Sequence, residues 1–360
     1  RKRKTEVSSM VTEMLKFCRD IPKVELHAHL NSSFSHHNGL SLALFTFDRD
    51  KSAVLVCVEW TLNLIFHCLL YFIFQVCDDE YSIYKLTYDI IHDFAADNVK
   101  YLEIRSTPKD IPQGGLTRKS YLQTMIKAIK ACEAENLDIM VKILPSIDRQ
   151  RGLEVAEITE KLAKEIAQEF PGYVPGIDFS GDPQFLDGSD FIPFFKQAKT
   201  DGLKLALHLS EIPNIESETL EILKQSPPDR IGHGTYLHQF KTGEGYEEIL
   251  DIVKTKQIPL EHCLTSNLKS ETTESFEAHH FGYWYAQKHP QVVCTDGRGV
   301  FLCELSDEYA NTAKAFNLNK EELWDLSYRA IDYTFTSEIE KEQLKEKWTY
   351  FNHLILQKTH

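Results

Sequence analysis

The chain has 360 residues, 42% of them hydrophobic, and 54 acidic against 40 basic side chains, for a formal net charge of −14. That length suits two average domains or one large α/β barrel. The acidic balance excludes a general nucleic-acid binder, which needs surplus Lys and Arg to neutralise phosphates, but leaves room for a small anionic substrate that a few local cations can hold.

The chain opens on Arg1-Lys2-Arg3-Lys4 followed by polar sequence and not by a signal-peptide apolar core, so residues 1–16 are expected to form a flexible tail. The first strand is expected at Val24–Leu30, where His27 and His29 stand two residues apart and therefore on one face. Residues 38–77 break the pattern. They contain Leu64–Val76, a nearly uncharged apolar run without helical or strand periodicity and short of the roughly 20 residues of a membrane span, so no membrane association is expected.

From about residue 80 the chain alternates amphipathic segments, such as Tyr121–Glu135 and Leu153–Glu169, with short β-rich runs. These runs are Val99–Thr107, Leu137–Asp148, Val174–Asp182, Leu203–Glu211, Arg230–Tyr236, Ile258–Asn267 and Gln291–Asp296. With Val24–Leu30 they make eight strands separated by crossover helices, which predicts a closed (β/α)8 TIM barrel as one domain over residues 1–360, with a helical tail at Ser306–Leu354. An open doubly wound sheet is the competing architecture, but no Gly-x-Gly-x-x-Gly follows the first strand. Eight cysteines, Cys18, Cys57, Cys68, Cys77, Cys132, Cys263, Cys294 and Cys303, show no Cys-x-x-Cys, which points to reduced thiols and a cytoplasmic protein.

Polar residues gather at the predicted C-terminal strand ends, the catalytic face of such a barrel: His27 and His29 on the first strand, His208 on the fifth, His233 on the sixth and Asp296 on the eighth. Singly, each has a dull reading as a core histidine, a turn residue or a helix cap. Jointly, three imidazoles and a carboxylate suit Zn²⁺ or a similar ion that activates water, leaving a fourth histidine and Glu211 for proton transfer. Gly181, Gly232 and Gly234 would let a flat ligand approach the backbone.

Six stretches carry a closer likeness: Pro22–Asn31 (PKVELHAHLN), Gly176–Pro183 (GIDFSGDP), His208–Pro213 (HLSEIP), Arg230–Thr235 (RIGHGT), Leu264–Lys269 (LTSNLK) and His279–Trp284 (HHFGYW). They resemble the adenosine and AMP deaminase family, in its adenosine deaminase-like branch. The resemblance implies a (β/α)8 metal-dependent hydrolase with one Zn²⁺ per chain on His27, His29, His208 and Asp296. It implies Glu211 as proton donor to purine N1, His233 as the group that orients and deprotonates the attacking water, and Asp296 in the same proton traffic. His29, Asn31 and Gly181 would border the purine. Ser106, Thr107, Pro108, Lys109 and Asp148, with the neighbouring Arg149, would serve a 5′-phosphate. The branch is associated with N6-methyl-AMP deamination, to IMP and methylamine, with no nucleic-acid or membrane partner, and a monomer is expected.

Three departures from the family pattern stand out. Gly297 replaces the second of two aspartates after Cys-Thr, Ser32 replaces a glycine, and residues 38–77 replace a helical segment whose phosphate-proximal histidine aligns nearest Phe74. An altered reading frame would account for that segment. The alternatives are therefore an adenosine or AMP deaminase of the same chemistry, or a purine-binding barrel impaired in catalysis.

Overall fold

A computed structural model of the chain describes residues 12–34, 77–239 and 245–357. Eight parallel strands follow one another around a single sheet in the order of the sequence: β1 (Lys23–His29), β2 (Val99–Ser106), β3 (Met140–Asp148), β4 (Gly176–Ser180), β5 (Lys204–Leu209), β6 (Arg230–His233), β7 (Leu260–His262) and β8 (Gln291–Val293). Seven lie within the runs expected from the sequence, and β1 starts one residue before its run, at Lys23. The barrel closes where Ala28 bridges Asp296: the His29 amide donates to the Asp296 carbonyl at 2.9 Å, and the Asp296 amide donates to the His27 carbonyl at 2.8 Å. The architecture is a (β/α)8 barrel, as the alternation predicted.

Helices cover the outside because each parallel connection must cross over the sheet face. They are α1 (Glu80–Ala96), α2 (Arg118–Ala134), α3 (Gly152–Glu169), α4 (Ile192–Thr200), α5 (Glu216–Gln225), α6 (Tyr246–Thr255), then the short α7 (Leu264–Lys269) and α8 (Phe281–Ala286). Beyond β8 come α9 (Arg298–Phe301), α10 (Leu305–Phe316), α11 (Lys320–Arg329) and α12 (Glu338–Gln357). Several start on side-chain caps legible in the sequence, such as Asp79 with Ser82 before α1 and Thr117 with Ser120 before α2. The main apolar layer lies between strands and helices. A separate cluster packs Leu344 and Trp348 of α12 with Val24, Leu26, Tyr101 and Val292, at the starts of β1 and β2 and in β8.

Residues 12–20 are helical, with Met14 and Phe17 against the core, so the described part of the expected 1–16 tail belongs to a helix. Leu64–Val76 and Phe74 lie outside the described residues, while Cys77 at the end of that segment is buried. Among the described residues no helix is long and apolar enough to cross a membrane.

Candidate metal and catalytic site

The first strand does not deliver its histidines by simple alternation. Glu25 pairs with Leu102 and Ala28 with Ile104, so three steps on β1 oppose two on β2. The extra residue is a bulge, and His27 stands in it. The carboxylate of Glu25 accepts the His27 amide at 2.8 Å, and also Thr295 N–H at 2.9 Å and Thr295 Oγ1–H at 2.8 Å from the β8 side. Bulge and seam are thus tied together by one buried side chain.

Four groups converge above this seam. His29 Nε2 lies 3.2 Å from His208 Nε2 and 3.3 Å from Asp296 Oδ1, and His27 Nε2 lies 3.7 Å from Asp296 Oδ1. The His27 ring is 4.6 Å from that of His208 and 4.9 Å from that of His233, centroid to centroid. A Cβ on Gly232 would sit 3.0 Å from His27 Cε1 and 3.4 Å from the His208 ring, so a side chain at 232 would crowd both imidazoles. His233 and Asp296 both have left-handed backbones, φ 57° and 62°, a conformation that is strained for a non-glycine residue.

The donor set fits a divalent metal. Ligands about 2.0–2.2 Å from a shared tetrahedral ion stand roughly 3.3–3.6 Å apart, close to the spacings observed. Among the described residues, His27 Nε2 is fully buried with no hydrogen-bond partner, and two imidazole nitrogens face each other across 3.2 Å. A shared cation accounts for both observations. Two overlapping groups of ligand atoms lie within 4.8 Å of one another, His27 with His29 and Asp296, and His27 with His208 and His233.

Three of the four are held from behind. His27 Nδ1–H donates to Glu261 Oε2 at 2.7 Å, His208 Nδ1 lies 2.8 Å from the Phe179 carbonyl and 3.1 Å from Asp178 Oδ1, and Ser266 Oγ–H donates to Asp296 Oδ2 at 2.6 Å. Such contacts leave Nε2 of both rings for the cation. Burial lowers the pKa of His27 well below its ordinary value and that of His29 to about 4. Burial, the largest influence, acts to lower His208, but the Asp178 charge and hydrogen bond together with the Glu211 charge outweigh it and raise the pKa to about 9.

Asp178 and Glu261 belong to a buried ionic web inside the barrel. Arg105 donates to Asp178 at 3.0 Å, to Glu261 at 2.8 Å and to the Leu26 carbonyl at 2.6 Å; Arg230 donates to Glu261 at 2.6 Å and also pairs with Glu103. Three carboxylates against two guanidiniums leave one negative charge over, beside the metal donors. These supporting residues were missed in the sequence. The one signal was a charged residue inside an apolar strand run, Asp178 in GIDFS and Glu261 in LEH.

Glu211 and His233 complete the constellation. Glu211 follows β5, half-buried, with Oε1 3.8 Å from His233 Nε2, which is also 3.8 Å from Asp296 Oδ2. Asn31 sits in the turn directly after β1 with its Oδ1 buried and without a hydrogen-bond partner among the described residues.

The expected phosphate residues lie at the C-terminal ends of β2 and β3, on the same end of the barrel. Ser106 is buried and its hydroxyl is engaged with Tyr121 Oη at 2.8 Å; Thr107, Pro108 and Lys109 follow it, and burial lowers the Lys109 pKa. Asp148 caps the turn after β3 through Gln150 N at 3.0 Å, and a Cβ on Gly181 at the end of β4 would lie 2.5 Å from Asp148 Oδ1. Arg149 is committed elsewhere. Its guanidinium donates to both carboxylate oxygens of Glu218, at 3.1 and 2.6 Å, and to the carbonyls of Phe185 and Leu186, so four of its five N–H donors are taken in pinning the β4 loop.

The adenosine deaminase family model matches residues 22–349. The chain belongs to the adenosine deaminase family. Relatives within it include the N6-Methyl-AMP deaminase-L of Xenopus laevis, 47% identical over 338 residues that cover 93% of this chain and 95% of that protein. The N6-Methyl-AMP deaminase of Homo sapiens is 44% identical over 344 residues, covering 94% and 96%. Among solved structures, Arabidopsis ADAL complexed with IMP superposes with a TM-score of 0.82 at 33% identity, covering 93% of this chain and 98% of that one. Family membership and the barrel agree with what the six sequence stretches implied.

Proposed function

We propose that this chain is a zinc-dependent hydrolytic deaminase that converts N6-methyl-AMP to IMP and methylamine. The observation that carries the proposal is the convergence of His27, His29, His208 and Asp296 beside His233 and Glu211, in a chain 44–47% identical to proteins named for that reaction. One zinc per chain would be held by those four donors and would polarise the attacking water and lower its pKa.

The protein groups then divide the remaining work. His233 Nε2, between Glu211 and Asp296, orients the water and accepts its proton as oxygen adds to purine C6. Glu211 donates a proton to N1, which takes up the electron pair displaced from the ring. As the C6–N bond of the tetrahedral carbon breaks, the proton held by His233 passes to the departing nitrogen, so methylamine leaves neutral, and the C6 hydroxyl gives its proton back to Glu211 to leave C6=O. Asp296, fixed by Ser266, holds its orientation throughout. His29, Asn31 and Gly181 border the base. Ser106, Thr107, Pro108, Lys109 and Asp148 border the 5′-phosphate, with hydroxyl, backbone and cationic donors of the kind a monoester needs. The chain is proposed to act as a monomer. The six described cysteines are free buried thiols, which supports a reducing cytoplasmic setting.

The test is turnover of N6-methyl-AMP, AMP and adenosine by the purified protein together with its metal content. Hydrolysis of N6-methyl-AMP with one zinc bound is the expected result, and Glu211→Gln should lower kcat by about 10²–10⁴ with the metal retained. A Glu211→Gln variant as active as wild type would sink the mechanism. Preference for AMP or adenosine would move the assignment within the family, and zinc without turnover would favour the purine-binding barrel that Gly297 suggests.

A further inference from the structure

Behind His233 lies a second group of histidines that the chemistry above does not use. His262, His279 and His280 are each nearly inaccessible and offer ring nitrogens within 4.8 Å of one another. The His279 and His280 rings stack at 4.0 Å with an interplanar angle of 24°.

Their hydrogen bonds determine which nitrogens carry protons. The Phe281 amide donates to His279 Nδ1 at 3.0 Å, so Nδ1 presents a lone pair and Nε2–H donates to Asn267 Oδ1 at 3.0 Å. Asn267 Nδ2 passes the chain on, donating to Thr235 Oγ1 at 3.3 Å and Thr272 Oγ1 at 2.9 Å. His280 Nε2 lies 2.9 Å from the His233 carbonyl, which can only accept, so that nitrogen also carries its proton. Three of the four ring nitrogens of this pair are thereby placed, two as donors, and a metal would have to displace them. The pair instead grips one turn at two points, the His233 carbonyl directly and Thr235 through Asn267. That turn carries two successive left-handed residues, His233 at φ 57° and Gly234 at φ 63°. For a histidine this is strained, and such a conformation persists only where its surroundings over-determine it.

We propose that His279 and His280 are positioning residues that clamp the strained His233–Thr235 turn and so aim the His233 imidazole at the reacting water. The inference rests on the role assigned to His233 above. Steady-state kinetics on the metal-loaded full chain test it, with metal content measured in parallel. His280→Leu, which removes the donor, should lower kcat at least about tenfold with KM within about twofold and bound metal unchanged, as expected for a misaimed catalytic group. His280→Gln can donate an amide N–H to the same carbonyl and should recover a large part of that loss. Wild-type kcat in His280→Leu, equal damage in both variants, or a second metal equivalent lost with His280 would each overturn the clamp.

Should His280→Leu not fold, the isosteric Thr235→Val removes only the second anchor and should lower kcat about threefold; an unchanged kcat there overturns the proposal equally. A readout independent of turnover is long-range ¹H–¹⁵N NMR of the histidine rings in the wild-type protein. Two neutral rings protonated at Nε2, with slowly exchanging protons, uphold the clamp, and metal-ligated or Nδ1-protonated rings overturn it. If wild type deaminates none of the three purines, the functional reading fails, while the NMR outcome still decides the clamp.

Discussion

Glu261 shows how one side chain out of contact with substrate can govern the site. Its two oxygens accept from Arg230, Arg105 and His27, all within 2.8 Å. Glu261→Gln would leave two buried guanidiniums short of a counter-charge and His27 without its orienting acceptor. Breaking a buried ion pair from one side costs roughly 3–5 kcal/mol. Loss of a supporting contact to a metal ligand costs about 10–100-fold in affinity. The expected variant is metal-poor with a lowered unfolding midpoint, measured by metal titration and urea denaturation; unaltered affinity would show that the web serves stability alone.

Gly297 and Ser32 form a second residue-scale unit. A Cβ at 297 would lie 2.8 Å from both Cβ and Oγ of Ser32 and 3.3 Å from Phe301 Cδ2, so the two positions share one space. Gly297→Asp should destabilise the fold by about 1–3 kcal/mol through overpacking. The Ser32→Gly/Gly297→Asp double variant should regain most of that loss, a non-additivity that urea unfolding of the four proteins measures. Strict additivity would contradict the shared space. The departures at 32 and 297, which looked like two separate losses in the sequence, are coupled in the structure.

At the scale of elements, the start of α12 illustrates a local signal with a distant anchor. Ser337 and Glu340 form a capping box: the Glu340 amide donates to Ser337 Oγ at 3.3 Å, and the Ser337 amide donates to Glu340 Oε2 at 3.1 Å. That much is written in Ser-x-x-Glu. The salt bridge from Lys142 of β3 to Glu340 Oε1, 2.7 Å, is not, because nothing local places residue 142 near residue 340. Burial alone would raise the Glu340 pKa, but the Lys142, Thr336 and Ser337 hydrogen bonds outweigh it and bring the value from 4.5 down to about 2. A depressed carboxylate pKa stabilises the fold above its unfolded value and loses that contribution as pH falls through the folded one. Glu340→Gln should therefore cost about 1 kcal/mol at pH 7, after allowance for partial exposure, with the difference from wild type shrinking between pH 4.5 and 2. Thermal melts across that range check it; a constant difference would mean the charge is irrelevant.

For the whole molecule, the seam and the site are one construction. His27 and His29 stand on one side of the junction and Asp296 on the other, joined by two backbone hydrogen bonds. A bound cation would therefore fasten the first strand to the last. A ligand that binds only the folded state stabilises it by about 4 kcal/mol at a thousand times its Kd. Metal removal by chelation should lower Tm by several degrees and raise amide hydrogen exchange selectively at residues 27–29 and 294–296. Uniform exchange across the barrel would argue against a metal-fastened seam.

The sequence by itself determined the eight strand runs, the barrel, the family and the six residues that converge at the site. Those signals are local: strand and helix periods, His-x-His spacing and chemistry at strand ends can be read without knowing what lies opposite. The bulge that aims His27, the web of Asp178, Glu261, Arg105 and Arg230, the Ser266 contact to Asp296, the clamp on His233 and the diversion of Arg149 to Glu218 were decided only by the tertiary structure. Each depends on the register of neighbouring strands or on partners far apart in the chain, 234 positions for His27 and Glu261. Long-range closure of the chain sets such pairings, and a charge inside an apolar strand run, as at Asp178 and Glu261, does not say which residue lies opposite.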